Sequence, residues 1–198
     1  MNLQQYRFKF LTITKNLFIV ILGFGFILTV INILDFNKAR RIEMMNGPEI
    51  RQFVNEYKVE RASLRSLMAV AKKTLEVNPQ EIDASEKATS AILNKKKNCL
   101  DCYNRIVFFD IYRNEDITPV GLRALHSSYD LSPYGAEDLM KWRLEVSSKF
   151  WEKFDDDLKK YSLTQITALS QHQQGRFWLR NFETDVEEIK ERVGRSTY

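Results

Sequence analysis

Residues 17–34, LFIVILGFGFILTVINIL, are eighteen consecutive positions without a charge, and only Gly23, Gly25, Thr29 and Asn32 among them are not strongly apolar. At 1.5 Å per residue they make a helix of about 27 Å, against a bilayer hydrocarbon core of about 30 Å. A core helix of a soluble protein shows a polar stripe; this run shows none. A cleaved leader has a shorter apolar region and a small-x-small site, whereas this run leads into LDFNKARR. The pattern predicts a single transmembrane helix.

Beyond it the pattern turns amphipathic. From Pro48 to about Val77, apolar residues (Ile50, Phe53, Val54, Tyr57, Leu64, Leu67, Met68, Ala71, Leu75) recur at three- and four-residue steps, with Glu56, Glu60, Arg61 and Arg65 outside. The pair Asn78–Pro79 breaks that helix, and a second runs from about Pro79 to Lys96 with Ile82, Ala88, Ile92 and Leu93 inward. RIVFFDIYR, 105–113, is β-branched, aromatic and followed by a turn signal, and predicts a strand. A short helix follows around Val120–His126. A longer one from 136 to 161 carries Leu139, Trp142, Val146, Phe150, Phe154 and Leu158 on one stripe. LTQITALSQ and RFWLRNF flank HQQG as a hairpin ending at Gly175, and an amphipathic helix Asp185–Val193 closes the chain. Three strands covered by helices make an α+β domain with a small antiparallel sheet. The alternative is an all-α bundle in which 105–113 is helical.

The implied organisation is a short cytoplasmic tail (1–16), the span (17–34), a juxtamembrane segment (35–47) and one exported domain (48–198). Seven glycines and four prolines favour long regular elements over loops. Arg7, Lys9 and Lys15 before the span balance Lys38, Arg40 and Arg41 after it, so charge gives almost no orientation. The long C-terminal part, too large to be a tail, favours a periplasmic domain on the bacterial inner membrane.

The two cysteines, Cys99 and Cys102, form a C-x-x-C. A redox site would have the pair open a helix after a strand; here it precedes the predicted strand, and a local disulfide in an oxidising compartment is the simpler reading, with unpaired thiols and an intermolecular link left open. The only histidines, His126 and His172, lack zinc-ligand spacing. Lys95–Lys97 reads as a solvated helix end and Asp155–Asp157 as an exposed turn of helix. With a net charge of only +4 and the basic residues dispersed, nucleic acid is not an expected partner. No phosphate loop, nucleophile elbow or H-E-x-x-H appears, so neither enzymatic activity nor a cofactor or metal is expected. Within the span, Gly23, Gly25 and Thr29 read as a small-residue notch for another helix, with Asn32 able to bond across it. A homo-oligomer in the lipid bilayer is the partner expected from that notch.

In the order of its elements the chain resembles the holins of T-even-type phages. The resemblance rests on the span 17–34, the helix after it, the segment NRIVFFDIYRNED and the closing GRFWLRNFETDVEEIKERVG. It implies a periplasmic domain of PAS-like α+β fold, spans that associate until they permeabilise the membrane and time host lysis, and a periplasmic regulatory partner. The close cysteine pair departs from a long-range disulfide. Two other classes share this layout: a structural assembly subunit of an envelope machine (secretion, conjugation or pilus), and a membrane-anchored sensor acting through a partner.

Overall fold

A computed structural model of the chain describes residues 3–56, 59–77 and 82–197. It is helical throughout: α1 (Leu3–Met44), α2 (Gly47–Glu56), α3 (Leu64–Val77), α4 (Ile82–Lys95), α5 (Leu100–Asn114), α6 (Pro119–Leu131), α7 (Glu137–Phe150), α8 (Asp156–Ser170), α9 (Gln173–Arg180) and α10 (Glu187–Thr197), with single 3₁₀ turns at Val59–Arg61 and Trp151–Lys153. Among the described residues there is no strand, so the α+β expectation is overturned and the all-α alternative stands. Tyr57 and the break at 78–79 lie outside the described residues, as do the side chains of Arg7, Lys9, Lys15 and Glu60. The chain divides into two compact units, 1–91 and 92–198.

In the first unit, the helix expected from Pro48 to Val77 is two. Asn46 and Glu49 form a reciprocal capping box that opens α2: the Glu49 amide donates to Asn46 Oδ1 (3.1 Å) and the Asn46 amide to Glu49 Oε2 (3.0 Å). A second cap, the Ser66 amide donating to Ser63 Oγ (3.1 Å), starts α3 afresh. Helix α3 packs along α1, and Ala39 and Ile42 of α1 and Leu67, Ala69, Val70 and Ala71 of α3 are buried. Its far side meets α4 where Ser85 Oγ donates to the Ala71 carbonyl (2.7 Å).

The second unit opens with the segment expected as a strand. Residues 105–113 lie inside α5, which pairs along its length with α6. In a strand Phe108 and Tyr112 would alternate with Val107 and Phe109 across a sheet; in the helix they meet at i, i+4 with tilted rings whose centroids are 5.9 Å apart. Tyr103, Ile106 and Val107 instead join one core with Ile117, Leu125, Tyr129, Phe150, Phe154 and Leu158. Tertiary burial outweighs the weak β preference of Ile, Val and Phe.

The long helix expected over 136–161 breaks at FDDD. Phe154 is extended, and the Asp155 carboxylate accepts from the Leu158 amide (2.9 Å) to cap α8. His126 Nε2 bonds the other oxygen of Asp155 at 2.7 Å. Partial burial pushes the Asp155 carboxyl up, but the Leu158 amide and His126 outweigh it and hold the group below the usual carboxylate range.

The expected hairpin is the α8–α9 corner. Gly175 is buried against the end of α8, and a Cβ there would sit 2.2 Å from the Leu169 carbonyl oxygen. Gly175 therefore serves a helix–helix approach, not a β-turn. Helices α8, α9 and α10 close a second core of Met140, Leu144, Trp151, Ile166, Leu169, Leu179 and Ile189, with Val186 and Val193 of α10 packed on it.

Polar groups inside this unit are paired largely among themselves. Arg143, fully buried, donates to the Ser132 carbonyl (2.8 Å) and to the Ser128 carbonyl (2.6 Å), and its guanidinium lies 4.4 Å from the Tyr129 ring centroid. Desolvation lowers the pKa of Arg143 and raises that of Tyr129. Asp110 accepts from the Thr118 amide (2.7 Å), Thr118 Oγ1 (2.7 Å), the Gly121 amide (3.1 Å) and Asn114 Nδ2 (3.1 Å), which ties α5 to the start of α6.

Gly121 permits that contact, because a Cβ would lie 2.3 Å from Asp110 Oδ2. Gly121→Ala is expected to destabilise the chain by about 2 kcal/mol through overpacking. Gly194→Ala, where a Cβ meets nothing within 4 Å, should be neutral or stabilising by up to about 1 kcal/mol. Urea unfolding of the full chain in detergent, followed by circular dichroism, separates the two.

Candidate functional site: the apolar helix and its junction with α3

Helix α1 is unbroken from Leu3 to Met44, so the expected juxtamembrane segment 35–47 is helical through most of its length. Val20–Met44 is long and apolar enough to cross a membrane, with a mean hydropathy of 1.9 and no buried share in its apolar window. Every described side chain from Phe18 to Leu34 is exposed, Phe26 at 71%. A core helix of a soluble protein would hide much of that surface.

From Asp35 onward one face of the helix is covered, while Phe36, Arg40 and Met44 on its other faces stay exposed. Asp35 Oδ1 accepts from Ser63 Oγ, the cap just before α3, and, at 3.3 Å, from Ser66 Oγ on the first turn of α3. One turn later Ala39 is 4% exposed, and Ile42 after it is fully buried. Arg65, from the same turn of α3, donates to the Asn32 carbonyl (3.5 Å) and lies 5.6 Å from the Phe36 ring centroid. The sequence pattern gave no sign of this junction, though Ser63 three residues before Ser66 and ahead of an apolar run is an N-cap signature.

The expected notch is divided. At 100° per residue Gly25, Thr29 and Asn32 share a face, while Gly23 lies roughly 200° from Gly25, on the other side. A Cβ at Gly23 or Gly25 would meet nothing within 4 Å, and Thr29 Oγ1 donates back to the Gly25 carbonyl (2.8 Å). Asn32 contributes its backbone carbonyl to Arg65.

The remaining candidates are spread through the second unit or at its edge. Cys99 and Cys102 form a disulfide at the start of α5, Cys99 in the N-cap position, and both are buried. The pair thus does open a helix, which the reading of 105–113 as a strand had hidden. Lys95–Lys97 are exposed at and beyond the end of α4. His126 lies within α6 and His172 precedes α9, each exposed or half-buried on separate elements. Asp155–Asp157 are exposed, with Asp155 the cap of α8 and the other two its first turn. No group of three metal-ligating side chains occurs among the described residues. No family model, curated protein or solved structure matches the chain.

Asp35→Ala removes the acceptor shared by the Ser63 and Ser66 hydroxyls. The full chain in detergent is expected to lose about 1–3 kcal/mol, with increased proteolysis at the start of α3. Unchanged stability and protection would show that the junction does not depend on Asp35.

Proposed function

We propose that the chain is a single-pass membrane protein whose α1 crosses the bilayer and holds its helical units at the surface as a binding and assembly module. The observation that carries this reading is the switch at Asp35: exposed apolar side chains all round α1 before it, a face packed under α3 after it. A removable leader fits poorly, because the same unbroken helix supplies Ala39 and Ile42 to the unit's interior. The site is the inner membrane of a bacterium, with the helical units exported. A disulfide between Cys99 and Cys102 agrees with an oxidising compartment. The role fits a structural subunit of an envelope machine whose partners dock on the helical units.

A second reading, lysis through association of spans, keeps one observation in its favour: the open face of Gly25, Thr29 and Asn32. The two other segments on which the resemblance to holins was drawn, 104–116 and 175–194, are helical or irregular.

Two measurements on the full chain expressed in bacteria test the reading. It is expected to stay in the membrane pellet after alkaline carbonate extraction. An impermeant thiol reagent on spheroplasts is expected to label Cys99 and Cys102 only after reduction. Release into the carbonate supernatant would overturn the span, and labelling only after permeabilisation would overturn export. Growth arrest on expression that Gly25→Leu relieves would favour lysis over assembly.

A further inference from the structure

Taking α1 as a span, we propose that its junction with α3 binds the phosphate headgroup of an anionic phospholipid, with Arg65 and Arg40 as the cationic ligands. Asn32, Phe36 and Arg40 are successive i, i+4 positions and so line one face of α1. Arg65 reaches across from α3 onto that face, donating to the Asn32 carbonyl and stacking on Phe36. Arg65 thus lies against the last exposed aromatic ring of the apolar surface, and Arg40 follows that ring by one turn on the same face, although the two arginines are twenty-five residues apart in sequence.

The depth is right for a headgroup. Arg40 lies about 7.5 Å along the axis from Asp35, and each polar layer of a bilayer is about 5–8 Å thick. Both arginines are exposed, and neither forms an ion pair with a described residue. The nearby Asp35 carboxylate is taken up by the Ser63 and Ser66 hydroxyls, so it does not consume their charge. Glu43, the other acid on this face of α1, is exposed two turns beyond Asp35, deeper into water. Arg41 points elsewhere, into a groove of about 400 Å³ that Glu49 and Glu56 also line. Guanidinium is the cation that best matches phosphate oxygens, through paired N–H donors. The adjoining apolar helix surface selects a phosphate that carries acyl chains over one free in water.

The test reconstitutes the full chain into nanodiscs of mixed phosphatidylglycerol and phosphatidylcholine and counts the lipids retained by native mass spectrometry. Phosphatidylglycerol is expected to be retained in preference. Arg65→Gln and Arg40→Gln should each lower its retention about five-fold, Arg65→Lys should restore part of it, and Arg41→Gln should leave it unchanged. Equal retention of the two lipids by the wild type, or full retention by Arg65→Gln, would overturn the proposal. Displacement by inorganic phosphate would overturn the lipid assignment. Failure of the chain to enter the discs would instead defeat the span, a separable result.

Discussion

The carboxylate of Asp35 is the hinge of the architecture. It is the first charge after the apolar run, and it sits on a helix that does not stop there. A charge at that point needs hydrogen-bond partners once α3 covers it, and Ser63 and Ser66 supply them from the one turn of α3 that is itself being capped by Ser63. Ser63 therefore does two things at once: it caps the start of α3 and, through Asp35, registers that helix against α1. The burial of Ala39 and Ile42 follows from that register. Because α1 runs through without a break, the apolar run and the part of α1 packed under α3 form one continuous helix.

The second unit solves a different problem, the packing of short helices with few glycines. Its polar residues, buried and exposed, act as fasteners. Asp110 joins the end of α5 to the start of α6, Asp155 caps α8 and reaches His126 on α6, and the disulfide closes the first turn of α5. Arg143 is the least ordinary of these, a fully buried guanidinium whose bonds go to carbonyls, a serine hydroxyl and a tyrosine face. Removing a partner from such a network leaves a buried charge exposed to its own desolvation cost.

The apolar helix was legible because eighteen uncharged residues without a polar stripe suit lipid on every side and water on none. The stripe from Val146 to Leu158 was legible because period-3.6 patterns persist across a one-turn break. Element type failed at 105–113, where Ile, Val and Phe carry a β preference of under about 1 kcal/mol, less than the burial of Val107 and Phe109 in a helix supplies. It failed again at Gly175, because a glycine that lets two helices touch has the same sequence signature as one that closes a hairpin. Local caps were the missed signals: Ser63 and Asp155 mark helix starts inside what read as single long helices. Of the candidate site, Gly23, Gly25 and Thr29 were read as one notch with Asn32 beside it, although the helical period puts Gly23 on the other side. The junction with Arg65 was not legible, since a contact across thirty-three positions leaves no trace in local periodicity.

The central claim is that the bilayer boundary lies at Asp35. Since Cys99 and Cys102 are joined to each other, single cysteines introduced one at a time from Val20 to Met44 of the full chain can carry a spin label in lipid vesicles. Accessibility to dissolved oxygen and to a water-soluble nickel chelate then reads depth directly. The account predicts oxygen access on every face from Val20 to Leu34, nickel access at Arg40, and protection from both at Ala39 and Ile42. Nickel access throughout Val20–Leu34, or protection from both reagents there at three- and four-residue intervals, would contradict it.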